Sequence, residues 1–136
     1  MRAQGNPHPP PWVPVTVVAS EPIRLRHGSA PMLVEFAPGL RFDLRPGENR
    51  IMLPVGRFRA RLWSRYALWS VGRAVLDIDT TRGPVWLYYA APRTIYSDGA
   101  ADFRECERPG AGMYAAIIAA AVLIPLTIVL VAVLQR

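Results

Sequence analysis

Hydrophobic and polar positions alternate along most of this chain and then stop alternating near its C-terminal end. From Trp12 onward the period is two, the pattern of strands with one face buried. Val13, Val15, Val17 and Ala19 alternate with Pro14, Thr16 and Val18, and Ile23 and Leu25 with Arg24 and Arg26. Met32 to Ala37 is a short apolar run closed by Pro38-Gly39, after which Leu40, Phe42 and Leu44 oppose Arg41, Asp43 and Arg45. A turn over Arg45–Asn49 leads into Ile51–Val55. Phe58, Ala60 and Leu62 then point inward, with Arg57, Arg59 and Arg61 outward. Leu62–Ser70 breaks the alternation and reads as an aromatic loop carrying Trp63, Tyr66 and Trp69 around Arg65. Ala74, Leu76 and Ile78 alternate with Val75, Asp77 and Asp79, and the turn Thr81–Pro84 returns the chain through Val85–Ala90. Seven to eight short strands between Gly/Pro turns predict an all-β fold, a small β-sandwich over residues 12–96.

The pattern changes kind at Met113. Residues 113–134 are twenty-two consecutive residues without a charge, apolar on every face. A helix of that length rises about 33 Å, enough for a hydrocarbon core of about 30 Å. We therefore expect a transmembrane helix, preceded by a polar, Gly-containing juxtamembrane linker over 97–112 and followed by a short tail, 135–136. Residues 1–11 are rich in proline and read as a disordered leader. Pro9–Pro11 with Trp12 suits either a stiff spacer or a ligand for an aromatic-lined groove.

Composition adds an orientation. No apolar run near the start resembles a signal peptide, and Arg93, Arg104 and Arg108 precede the helix against Arg136 beyond it. The expected arrangement is a tail-anchored, single-pass protein of the cell membrane with its N-terminal domain in the cytoplasm. All sixteen basic residues are arginine, and the formal net charge is +6. The charge is uneven: residues 22–73 sum to +7 and residues 74–108 to −2. Such a basic region suits anionic lipid headgroups; nucleic acid is not expected, because no binding motif accompanies it. One cysteine excludes an internal disulfide, and His8, His27 and Cys106 are too few soft ligands for a zinc site.

Two resemblances follow from particular residues. AVLDIDTT, residues 74–81, resembles the first motif of haloacid dehalogenase-type phosphotransferases, in which two aspartates serve as nucleophile and general acid beside magnesium. That chemistry also needs a lysine or equivalent cation, further acids and a sizeable α/β domain. The chain has no lysine and its pattern offers no helices for a parallel sheet. The expected reading is a solvated strand face, with Asp77 and Asp79 opposite the arginine ladder 57, 59, 61, and no enzyme or cofactor. LRPGENRIMLPVGRFRARL, residues 44–62, resembles the "L-x-PGE" turn-and-strand rhythm of PEGA-like β-sandwich domains. AVLDID, GPVWLYYAAP and the membrane-proximal RPG resemble small single-pass proteins of high-GC bacteria. The resemblance implies a sandwich used for anchoring or interaction and carries over no catalytic residue.

The expected function is thus non-enzymatic: an interaction module or accessory subunit of a membrane-associated complex, or alternatively a lipid-contacting module using the arginine face. Its expected partners are the lipid bilayer and a membrane protein or a second copy of the chain. Candidate contacts are Arg57, Arg59, Arg61, Trp63, Arg65, Tyr66 and Trp69 in the domain. In the helix they are Gly112, Ala116 and Ala120, small residues at four-residue spacing, with Pro125 further along the axis.

Overall fold

A computed structural model describes residues 11–135; the proline-rich leader, Pro11 apart, and Arg136 lie outside the described residues. The described residues form ten strands, some of them short, where seven to eight were expected, and one helix. Two of those strands, β2 (Arg24–Leu25) and β3 (Gly28–Ser29), make only a small two-stranded arm. The others divide between two open four-stranded sheets.

The first sheet runs β10-β9-β1-β6, from β1 (Trp12–Ala19), β6 (Gly47–Pro54), β9 (Val85–Ala90) and β10 (Ala100–Asp102). Strand β1 pairs antiparallel with β6 and parallel with β9. The second runs β5-β4-β7-β8, all antiparallel, from β4 (Met32–Ala37), β5 (Leu40–Leu44), β7 (Arg57–Tyr66) and β8 (Trp69–Asp79). The inward residues of both sheets bury one continuous core: Val15, Val17, Leu53 and Leu87 from the first, Val34, Phe36, Ala60, Leu62 and Ile78 from the second. This is what period-two alternation requires of half-buried strands.

Polar side chains close the ends. Asn49 buckles the β5–β6 turn by accepting from the Arg45 N–H at 2.8 Å while its amide donates to the carbonyls of Arg45, Gly47 and Val17. Thr80 is buried, and its hydroxyl accepts from the Gly56 N–H at 2.9 Å and lies within 3.0 Å of the Pro54 carbonyl. It thereby ties the end of β8 to the crossover between the sheets.

Three elements differ from the sequence reading. Residues 62–70 are not a loop: β7 continues to Tyr66, Ala67-Leu68 forms a two-residue hairpin turn, and β8 begins at Trp69. Ala67 holds a left-handed φ of 52°, a place glycine usually takes, which is why no turn signal stands in the sequence. The irregular alternation instead comes from a bulge, where Gly72 and Arg73 of β8 together oppose Trp63. Gly72 sits there at φ 61°, and a Cβ on it would meet the Pro92 ring at 2.6 Å.

The third difference is the segment before the helix. Residues 97–112, expected as a free tether, contain β10, and Arg108 straps the rest to the domain. Its guanidinium donates to the Ala91 carbonyl at 3.0 Å, the Pro92 carbonyl at 3.2 Å and the Pro22 carbonyl at 3.4 Å. The Arg93 N–H donates to the Pro109 carbonyl at 3.1 Å, and Gly110 abuts Ser97 so closely that a Cβ would stand 2.8 Å from its hydroxyl. The helix, α1 (Ala111–Leu134), starts two residues earlier than the apolar run suggested, directly after this strap. It has 24 residues, rises about 36 Å and buries none of them against the domain. It is long and apolar enough to cross a membrane.

Candidate functional site

The outer face of the second sheet holds the residues that stood out in the sequence. Strand alternation places Arg57, Arg59, Arg61, Trp63 and Arg65 together on it, because they are successive outward positions of β7. Register then decides which of these arginines keeps an uncompensated charge. Arg57 lies opposite Asp79 and Arg59 opposite Asp77, with nitrogen–oxygen separations of 3.8 and 3.6 Å. Arg61 lies opposite Val75 instead. Its neighbour on the other side, Glu35, is engaged by Arg41 at 3.0 Å. Among the described residues Arg61, Arg65 and Arg73 form no ion pair.

The ladder is therefore two zones. Toward Arg57, exposed cross-strand pairs neutralise the charge and contribute at most about 1 kcal/mol each. The two aspartates that resembled a phosphotransferase motif belong to this zone, and Asp77 is 80% exposed. Thr81 turns back on Asp79, donating its hydroxyl and its backbone N–H to the carboxylate. These hydrogen bonds, with Arg57 and Arg82 nearby, hold the Asp79 carboxyl below its usual range. Among the described residues no group of three or more His, Cys, Asp or Glu is placed to hold a metal ion.

Toward Tyr66 the face is basic and aromatic. Trp63 is half-buried, with the Arg41 guanidinium stacked 5.1 Å from its ring centre. Two shallow depressions flank it. One, about 240 Å³, is lined by Glu35, Arg61, Ser70, Arg73 and Val75; the other, about 280 Å³, by Arg41, Arg65, Leu68 and Trp69. Arg73 enters this zone through the β8 bulge, and the sequence reading missed it because the bulge carries no signature beyond a glycine.

Tyr66, one position beyond Arg65, falls on the other side of the ribbon, whereas Trp69, its partner across the hairpin, also lines the second depression. Tyr66 lines a groove against α1, while Leu68 and Trp69 project from the tip at 96% and 70% exposure.

Beneath the bulge a buried tyrosine locks the two sheets together. The Tyr89 hydroxyl donates to the Gly72 carbonyl at 2.7 Å and accepts from the Ser64 hydroxyl at 3.4 Å. Burial pushes its phenol pKa up. Cys106, half-buried at the β10 edge, points its thiol toward the Ala100 carbonyl at 3.6 Å, and burial raises its pKa too.

On α1, Gly112, Ala116 and Ala120 form one stripe, whereas Pro125 falls about 180° from Ala116 at 3.6 residues per turn. The stripe and the proline thus occupy opposite sides, and no single packing surface holds both. Pro125 lies inside the helix and cannot donate to the Ala121 carbonyl. Tyr114 and Ile117, the helix residues against the groove, lie about 100° or more from Ala116, so the stripe points away from it.

Compared with family models, with curated proteins and with solved structures, the chain has no significant match in any of the three.

Proposed function

We propose that this protein is a non-enzymatic, membrane-anchored interaction module, a β-sandwich held at the cytoplasmic face and acting as an accessory subunit of a membrane-associated complex. The observation that carries the reading is the basic, aromatic half of the second sheet. Arg61, Arg65 and Arg73 surround Trp63 and form no ion pair among the described residues, on a domain whose Arg108 strap leads into a membrane-length helix. Arginine and tryptophan are the residues that most often anchor protein interfaces, because each offers a large desolvated area with directed polar groups. The likeness to PEGA-like sandwiches supports a use in interaction. The cytoplasmic side is favoured by Arg93, Arg104 and Arg108 on the domain side of α1.

The partner is a membrane protein or a second copy of this chain, and site-specific photo-crosslinking in the native membrane tests it. With Arg61 or Ser70 replaced by a photo-reactive phenylalanine, a discrete adduct is expected. The same change at Met52, exposed on the outer face of the first sheet, gives none. Equal adducts at all three positions, or none at any, would remove the reading.

A further inference from the structure

The groove beside α1 has the chemistry of a lipid headgroup site. It encloses about 550 Å³ between the β2–β3 arm, the loop after β9 and the first turns of the helix. Its arginines are Arg24, Arg26 and Arg93, joined by Tyr66, Tyr96 and Tyr114, and among the described residues no Asp or Glu lines it. Arg24 makes only a long, exposed contact to Glu21 at 3.7 Å. Arg26 and Arg93 form no ion pair among the described residues.

Depth identifies the occupant. Helix α1 rises about 36 Å against a hydrocarbon core of about 30 Å, and the excess of about 6 Å, placed at its N-terminal end, sets its first turn at the headgroup level. Tyr114 is at that depth, where tyrosine is favoured, and Ile117, one turn further in, meets the acyl chains. A cavity walled by a membrane helix there fills with lipid. Its three guanidinium forks match a phosphate bidentately. The strap at Arg108 and Gly110 holds the domain against the start of the helix, so these cations stay over the groove. The exposed Leu68 and Trp69 at the hairpin tip, next to Tyr66, supply the amphipathic contact that anchors a domain in the interface.

We propose that this groove binds the headgroup of an anionic phospholipid from the bilayer that α1 spans, with the phosphate on Arg26 and Arg93. The arginine ladder is not this surface. Arg57 lies nine positions along β7 from Tyr66, about 30 Å away on an extended strand. The inference rests on α1 crossing a bilayer but on neither the side of the domain nor a protein partner.

The test uses the full chain reconstituted into vesicles of equal parts phosphatidylglycerol and phosphatidylcholine, then extracted in mild detergent and analysed for retained lipid. Flotation of the protein with the vesicles checks insertion separately, so a failure of the helix reading is distinguishable. Phosphatidylglycerol is expected to be enriched at least about fivefold, the scale of one well-placed arginine. Enrichment falls toward the bulk ratio in Arg26→Gln/Arg93→Gln, survives in part in Arg26→Lys/Arg93→Lys, and is unchanged in Arg57→Gln/Arg59→Gln. No enrichment, equal loss in both glutamine pairs, or displacement of the lipid by millimolar inorganic phosphate would overturn the proposal.

Discussion

At the scale of single residues, the contact that most constrains the molecule joins Gly72, Tyr89 and Pro92. The bulge presents the Gly72 carbonyl to the Tyr89 hydroxyl, while its missing side chain lets Pro92 approach. Gly99 packs over the same carbonyl and donates its N–H to the Arg73 carbonyl at 3.1 Å. Tyr89→Phe removes the donor to a buried carbonyl and should cost about 1–3 kcal/mol. Gly72→Ala must accommodate a Cβ inside the Pro92 ring at a left-handed φ, a conformation that alone costs about 1–2 kcal/mol for an alanine, and should cost more than Tyr89→Phe. Urea unfolding of the two variants checks the order; a Gly72→Ala protein as stable as wild type would refute the bulge geometry.

At the scale of elements, legibility tracked how regularly each strand alternates. Strands β1, β4, β5 and β9 were readable because Val15/Val17, Met32–Phe36, Phe42/Leu44 and Leu87/Tyr89 carry the inward positions without interruption. The pairing of Arg57 with Asp79 and Arg59 with Asp77 was readable too, since both runs have the same spacing. The β7–β8 hairpin was misread as a loop for two physical reasons. Its turn is Ala67-Leu68 rather than an Asn-Gly type pair, and the Gly72 bulge shifts β8 by one position against β7. Strand β10 is three residues long, with no β-branched side chain, and forms because β9 offers it an edge. The strap was hidden because Arg108 works through three backbone carbonyls, and acceptors of that kind leave no trace in side-chain pattern.

Helix α1 was evident from composition, yet its contacts were not. The stripe of Gly112, Ala116 and Ala120 faces away from the groove and suits close approach of another helix. Ala116→Leu/Ala120→Leu keeps α1 apolar, so insertion should be unchanged while self-association or recovery of a membrane partner falls. Val122→Leu/Val129→Leu should do much less, because valine is already branched. Identical recovery with both pairs, measured by co-purification from mild detergent, would make the stripe a compositional accident.

At the scale of the whole molecule, the basic region and the acidic region are folded against each other. Arg57 and Arg59 meet Asp79 and Asp77 far from the anchor, and the surplus of positive charge is left at two places nearer to it. One is the face around Trp63 and the other is the groove at the start of α1. The strap at Arg108 ties the chain just before α1 back to the domain, so the link between these surfaces and the helix is short.

The proposed function depends on α1 separating the β domain from the chain beyond it across a membrane, with the domain inside. Thiol labelling of intact cells tests that most directly. In a Cys106→Ser background, cysteine is introduced singly by Asp98→Cys, on the exposed surface of the domain, or by Gln135→Cys, just past α1. A membrane-impermeant maleimide should label the Gln135→Cys protein from outside and the Asp98→Cys protein only after permeabilisation. The opposite pattern would put the domain on the outside. Both positions labelled in intact cells, or neither labelled until permeabilisation, would show that α1 does not separate them across the membrane.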